Sequence, residues 1–157
     1  MSHKNTFRPI VKGVLLAFIF GGAAFLFWKN YEYSLSKIKN KQSLWDQTKT
    51  LSTEEKKVIY NFAHYLEKNY GLKLRLKITY EHIYIPKLDK RTLFIGLAPS
   101  KKEVIVRFPP LLEKAVGLDF IRYLQEKHFQ PYFENNNWPE GLISALVLIQ
   151  KKVEHLG

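Results

Sequence analysis

The spacing of apolar positions shifts along the chain, and each shift predicts an element. Val58, Ile59, Phe62, Ala63 and Leu66 recur at helical spacing behind Ser52 and Glu55, which form a capping box, and Gly71 stands where a left-handed C′ residue closes such a helix. From 72 to 78 the period becomes two: Leu72, Leu74, Leu76 and Ile78 alternate with Lys73, Arg75 and Lys77, as in a strand with one buried face. Residues 92–98, TLFIGLA, are a continuous apolar run of strand length, which predicts a central strand covered on both faces. A turn at 99–102 leads into a returning strand at 103–108, and Pro109 and Pro110 stop it. A helix over 119–130 would align Ile121, Leu124 and His128, with Pro131 as its terminator. After the turn cluster 135–137, Asn137 caps a last helix with Pro139 in its first turn, Glu140 at its third position, and Leu142, Ala145, Leu146, Ile149 and Val153 on a broad apolar face. Helices then flank the strands, and the expected fold is α/β: a three-layer sandwich with a small mixed sheet.

Residues 13–28 obey neither period. GVLLAFIFGGAAFLFW holds no charged or strongly polar side chain and makes roughly 24 Å of helix, or roughly 28 Å with Ile10, Val11 and a snorkelling Lys12, against a bilayer core of ~30 Å. A single transmembrane helix is expected to precede the sandwich. A cleaved secretory signal is the alternative, with Lys4, Arg8 and Lys12 as its basic lead and Gly22, Ala23 and Ala24 as small residues for a peptidase. The apolar run continues past that point through Phe25, Leu26, Phe27 and Trp28, which favours an uncleaved signal anchor. The expected organisation is a basic segment 1–12, the anchor 13–28, a juxtamembrane linker 29–45 and a domain 46–157. A first helix behind a short basic lead usually leaves its N-terminus inside, which puts the domain on the periplasmic, extracytoplasmic side. Gly13, Ala17 and Gly21 repeat every four residues, the small-residue face through which membrane helices associate with a partner or with themselves.

The 157-residue chain carries a net charge of +11, and beyond the anchor 22 Lys and Arg face 14 Asp and Glu. Such an excess draws the domain to anionic surfaces, membrane lipids among them. Nucleic acid is not an expected partner, because no recognition-helix or RNA-binding motif accompanies the charge. The chain has no cysteine, so disulfide frameworks, thiolate nucleophiles and zinc-thiolate clusters are excluded.

Over 44–153 the chain resembles the TPM domain, a family of small bacterial-envelope and thylakoid-lumen domains. The resemblance lies in Leu44-Trp45-Asp46 leading to Leu51-Ser52, in residues 93–99 followed by Val104-Ile105-Val106, in Gln130-Pro131-Tyr132-Phe133, and in Trp138-Pro139-Glu140-Gly141-Leu142. Two departures mark a pared-down member. Where the family has Gly-Tyr-Gly-Leu-Glu this chain reads Pro109-Pro110-Leu111-Leu112-Glu113, and only residues 80–91 stand where the family inserts an extra helix.

The resemblance implies acidic metal ligands, here Asp46, Asp89, Glu113 and Asp119, with calcium as the cation; the alternative is that they are helix caps and solvated loop acids, Asp119 at an expected N-cap. No nucleophile motif, phosphate-binding glycine loop or His-Glu-x-x-His is present. His64 and Glu67 form one i, i+3 pair, read as a surface contact, and His128 reads as a core histidine. The expected function is a membrane-anchored TPM-like accessory module that assists a membrane protein complex, binding through Lys73, Arg75 and Lys77 and through the loop at Trp138. The alternative is a divalent-metal-dependent phosphatase, and a third reading is a lipid-surface binder.

Overall fold

A computed structural model describes residues 42–156. The expected anchor 13–28, its Gly13/Ala17/Gly21 face and most of the linker lie outside the described residues. Among the described residues no helix is long and apolar enough to cross a membrane.

The chain runs through β1 (Leu44–Asp46), α1 (Thr53–Tyr70), β2 (Lys73–Ile78), β3 (Thr92–Ala98), a 3₁₀ turn (Pro99–Lys101), β4 (Glu103–Arg107), α2 (Pro110–Val116), α3 (Leu118–Tyr123), a π-helical turn (Leu124–His128), α4 (Gln130–Glu134) and α5 (Trp138–Glu154). The sheet order is β1-β2-β3-β4. The first three strands are parallel, and β4 returns antiparallel along β3, so the sheet is mixed.

Local chemistry sets the limits of α1. Glu55 N–H donates to Ser52 Oγ at 3.1 Å while Ser52 N–H donates to the Glu55 carboxylate at 2.7 Å, so each end of the capping box satisfies the other's orphan donor. At the far end Gly71 takes φ 63°, its N–H reaches Glu67 O, and Leu72 N–H reaches Leu66 O. That pair of bonds closes the helix in a left-handed cap that a glycine adopts without strain.

The sheet separates two apolar clusters. Leu74, Leu76 and Ile78 of β2 with Leu93, Ile95 and Leu97 of β3 pack against Ile59, Phe62 and Leu66 of α1, Leu142, Leu146 and Ile149 of α5, and Ile121 of α3. On the other face Phe94 and Ala98 meet Ile83, with Ile85, Leu88 and Ile105 beside them. The α/β class and the small mixed sheet are as expected; the third layer differs. It is the irregular segment between β2 and β3, which is too short for a helix with two loops and covers β3 with isolated apolar side chains instead.

Other corrections follow the same logic. β1 begins at Leu44, which is buried, so the domain takes in residues assigned to the linker. The helix expected over 119–130 divides into α3 and the π-helical turn, and its N-cap is Gly117 rather than Asp119. Pro131 opens α4 instead of ending a helix, because proline's missing N–H costs nothing in a first turn. Asn137 does occupy the N-cap of α5, but its side-chain amide donates to the Glu140 carboxylate and makes no bond to the helix backbone.

Candidate docking surface

Strict alternation in β2 sends Leu74, Leu76 and Ile78 inward and leaves Lys73, Arg75 and Lys77 on the opposite face. The parallel register sets Trp45 of β1 beside Lys77. Trp45 is 51% exposed, and the Lys77 ammonium lies 5.1 Å from its ring centroid, within cation–π range. Arg75 is exposed next to them. Lys73, at the start of the strand, is engaged differently: its ammonium donates to Asp89 Oδ2 at 3.0 Å. Asp89 also accepts from Arg91 N–H at 2.7 Å and Thr92 Oγ1 at 3.1 Å. The Lys73 hydrogen bond, followed by the Arg91 amide, holds its carboxyl down at about 2.

Trp45, Arg75 and Lys77 therefore set a flat aromatic surface beside two cations at the β1 edge of the outer sheet face, next to the segment that covers β3. Guanidinium, ammonium and indole N–H groups all donate hydrogen bonds, and such a surface suits a partner rich in carboxylates or phosphates with an apolar spot for the ring. Trp45 is not among the binding residues that the sequence suggests. A three-residue strand contains too little alternation to reveal which way its middle side chain points, and the signal becomes visible only through pairing with Lys77.

Trp138 does not belong to this surface. It is 5% exposed at the first turn of α5, inside the main core, because the Pro139 turn directs the indole toward the sheet rather than into the preceding asparagine loop.

The four carboxylates named as metal ligands do not converge. Asp46 lies level with Ile78, whereas Asp89 bonds Lys73 and Thr92 at the other end of the strands, five residues or about 16 Å away. Asp46 Oδ1 accepts from Thr48 N–H, Thr48 Oγ1 and Lys49 N–H, which makes a local turn; its Oδ2 is buried without a hydrogen-bond partner among the described residues. Glu113 lies in α2, and Asp119 is fully exposed, 3.9 Å from Arg122. Among the described residues no group of three or more His, Asp or Glu is placed to hold a metal ion.

His64 and Glu67 stay on the exposed side of α1. His128 is buried, its Nε2–H donating to Gly141 O at 2.9 Å and its ring packed edge-on to Phe129. It joins the π-helical turn to α5 and is satisfied there.

No protein-family model matches the chain, and no curated protein matches it at the level of sequence. In fold it is similar to the N-terminal domain of a protein from P. gingivalis solved by solution NMR, with a TM-score of 0.64 at 12% identity over 77% of this chain and 87% of that one. At that identity the likeness speaks to the fold alone.

Proposed function

We propose that the chain is a membrane-anchored accessory module that holds its α/β domain against a membrane protein complex on the extracytoplasmic side and assists the assembly or upkeep of that complex. The observation that carries the reading is the surface of Trp45, Arg75 and Lys77 at the β1 edge of the outer sheet face, attached to a chain whose residues 13–28 have the length and composition of a bilayer span. A tether raises the local concentration of a domain near membrane partners, and modest surfaces of this size need that gain. The resemblance of residues 44–153 to TPM domains supports the same assignment, with binding rather than hydrolysis as the domain's work. The test is photo-crosslinking from position 75 or 45 in the full-length chain in its native membranes, with position 57 on α1 as the control. A discrete adduct from 75 and 45 that is missing from 57 is expected. Identical patterns from all three positions would refute the surface.

A further inference from the structure

β1 starts level with Leu76 and runs parallel to β2 and β3, away from the end of the sheet where they start, at Lys73 and Thr92, and where β4 finishes, at Arg107. Three helices reach the same end. Tyr65 of α1 bonds Tyr70 at 3.2 Å and also interacts with Glu154, which brings the last turn of α5 to the last turn of α1. Phe108, directly after β4, packs against Phe120 of α3 with its ring tilted 55° and the centroids 6.4 Å apart, and Lys152 of α5 places its ammonium 5.7 Å from the Phe120 ring centroid.

Around this junction two leucines point outward. Leu111, three residues past Phe108, is 85% exposed, and Leu118, two residues before Phe120, is 65% exposed. A single exposed leucine is ordinary on a protein surface. Two of them beside an aromatic pair, with Arg107, Lys114, Arg122 and Lys152 all exposed around them, form the mixed apolar and cationic surface that anionic headgroups recognise. Asp119, 3.9 Å from Arg122, offsets that guanidinium, and Glu154 lies toward Tyr65, so Arg107, Lys114 and Lys152 are the cations this end offers to an anionic surface. The tether specifies the occupant. Thirteen residues, 29–41, separate the expected anchor from the described fold, and even fully extended they span no more than about 45 Å. The first described strand after them, β1, points away from the end that carries Leu111 and Leu118.

We propose that this end of the domain docks on the anionic lipid surface of the membrane in which the chain is anchored, Leu111 and Leu118 entering the headgroup layer while Arg107, Lys114 and Lys152 engage lipid phosphates. The proposal rests on the anchored reading above and assigns the domain an orientation: the Trp45 face then stands roughly perpendicular to the bilayer, turned toward a lateral neighbour.

The absence of cysteine makes the test direct. Leu111→Cys, Leu118→Cys and, at the opposite end of the sheet, Lys101→Cys are each labelled with an environment-sensitive fluorophore in the full-length chain and reconstituted into vesicles of phosphatidylglycerol with phosphatidylethanolamine, or of phosphatidylcholine alone. Blue-shifted emission and loss of aqueous quenching at 111 and 118 but not at 101, in the anionic vesicles and reversed by high salt, is the expected result. Lys114→Glu with Lys152→Glu should restore quenching at 118. Labels at 111 and 118 as exposed as at 101, in a chain that floats with the vesicles after alkaline washing, would overturn docking and leave the anchor standing. A chain that fails to float would overturn both. Shielding seen only in native membranes and never in lipid vesicles would assign the patch to a protein and refute the lipid proposal.

Discussion

Gly96 and Ile83 touch across the outer face of the sheet so closely that a β-carbon at position 96 would fall 2.5 Å from Ile83 Cγ2 and 3.2 Å from Phe94 Cε1. Residue 83 belongs to the irregular segment between β2 and β3, so this contact is what lets a structureless stretch act as a layer. Gly96→Ala forces the segment to move, and overpacking of this kind costs about 1 to 3 kcal/mol. Chemical denaturation of Gly96→Ala, Ile83→Ala and the double variant should show a smaller loss for the pair than for the two changes added, since the smaller side chain at 83 makes room for the new methyl.

The described core is drawn from residues 44–153, and a fragment starting at residue 29 should fold with mixed α/β circular dichroism. Within it Leu146 and Ile149, at 1% and 0% exposure, anchor α5 to the sheet. Truncation of either to alanine should cost about 2 to 5 kcal/mol, while Val147→Ala on the exposed side of the same helix should stay within about 0.5 kcal/mol. Equal losses at 146 and 147 would mean that the apolar face of α5 is misassigned.

The asymmetry between these positions was legible in the sequence; other features were not. The Ser52/Glu55 box, the alternation in β2 and the apolar run of β3 are local patterns several residues long, and each became the element it predicts. β1 is three residues long and pairs with a strand some 30 positions later, so no local window contains the information that makes Leu44 buried and Trp45 exposed. A tryptophan after three asparagines looks like a loop residue, whereas Trp138 is folded into the core. A proline at the end of a helical pattern looks like a stop, whereas Pro131 stands in a first turn and opens a helix. The surface is legible only in part: period orients the residues of β2, but their aromatic neighbour comes from another strand, and the register that sets Asp46 and Asp89 at opposite ends of the strands is not displayed in the sequence.

Asp89 supplies a test of the Lys73 end of the sheet. Its carboxyl is held at about 2, below the ordinary value of 3.8, so the contribution of this contact is present above about pH 4 and fades as pH falls toward 2. An NMR titration of the Asp89 side chain should show the depressed midpoint. Lys73→Met, which removes the leading cause, should move it back up toward the ordinary range; an unchanged midpoint would transfer the effect to the Arg91 and Thr92 donors.

Arg75→Glu with Lys77→Glu should leave stability within about ±0.5 kcal/mol, as expected of solvated positions, while Trp45→Ala removes an exposed cation–π contact of about 0.5 to 1 kcal/mol. The same three changes should weaken recovery of a partner from detergent-solubilised membranes. A stability loss without a change in recovery would make this face structural.

Everything proposed for the domain depends on where residues 13–28 reside, and one fractionation decides it. Membranes containing the full-length chain are washed first with high salt and then at alkaline pH, beside a chain that lacks residues 1–28. Apolar burial is indifferent to salt whereas a basic patch is screened within a Debye length, so the full-length protein should remain in the pellet through both washes and the shortened one should be released. Release of the full-length chain by salt alone, or a mature N-terminus near Phe25, would contradict the anchored account.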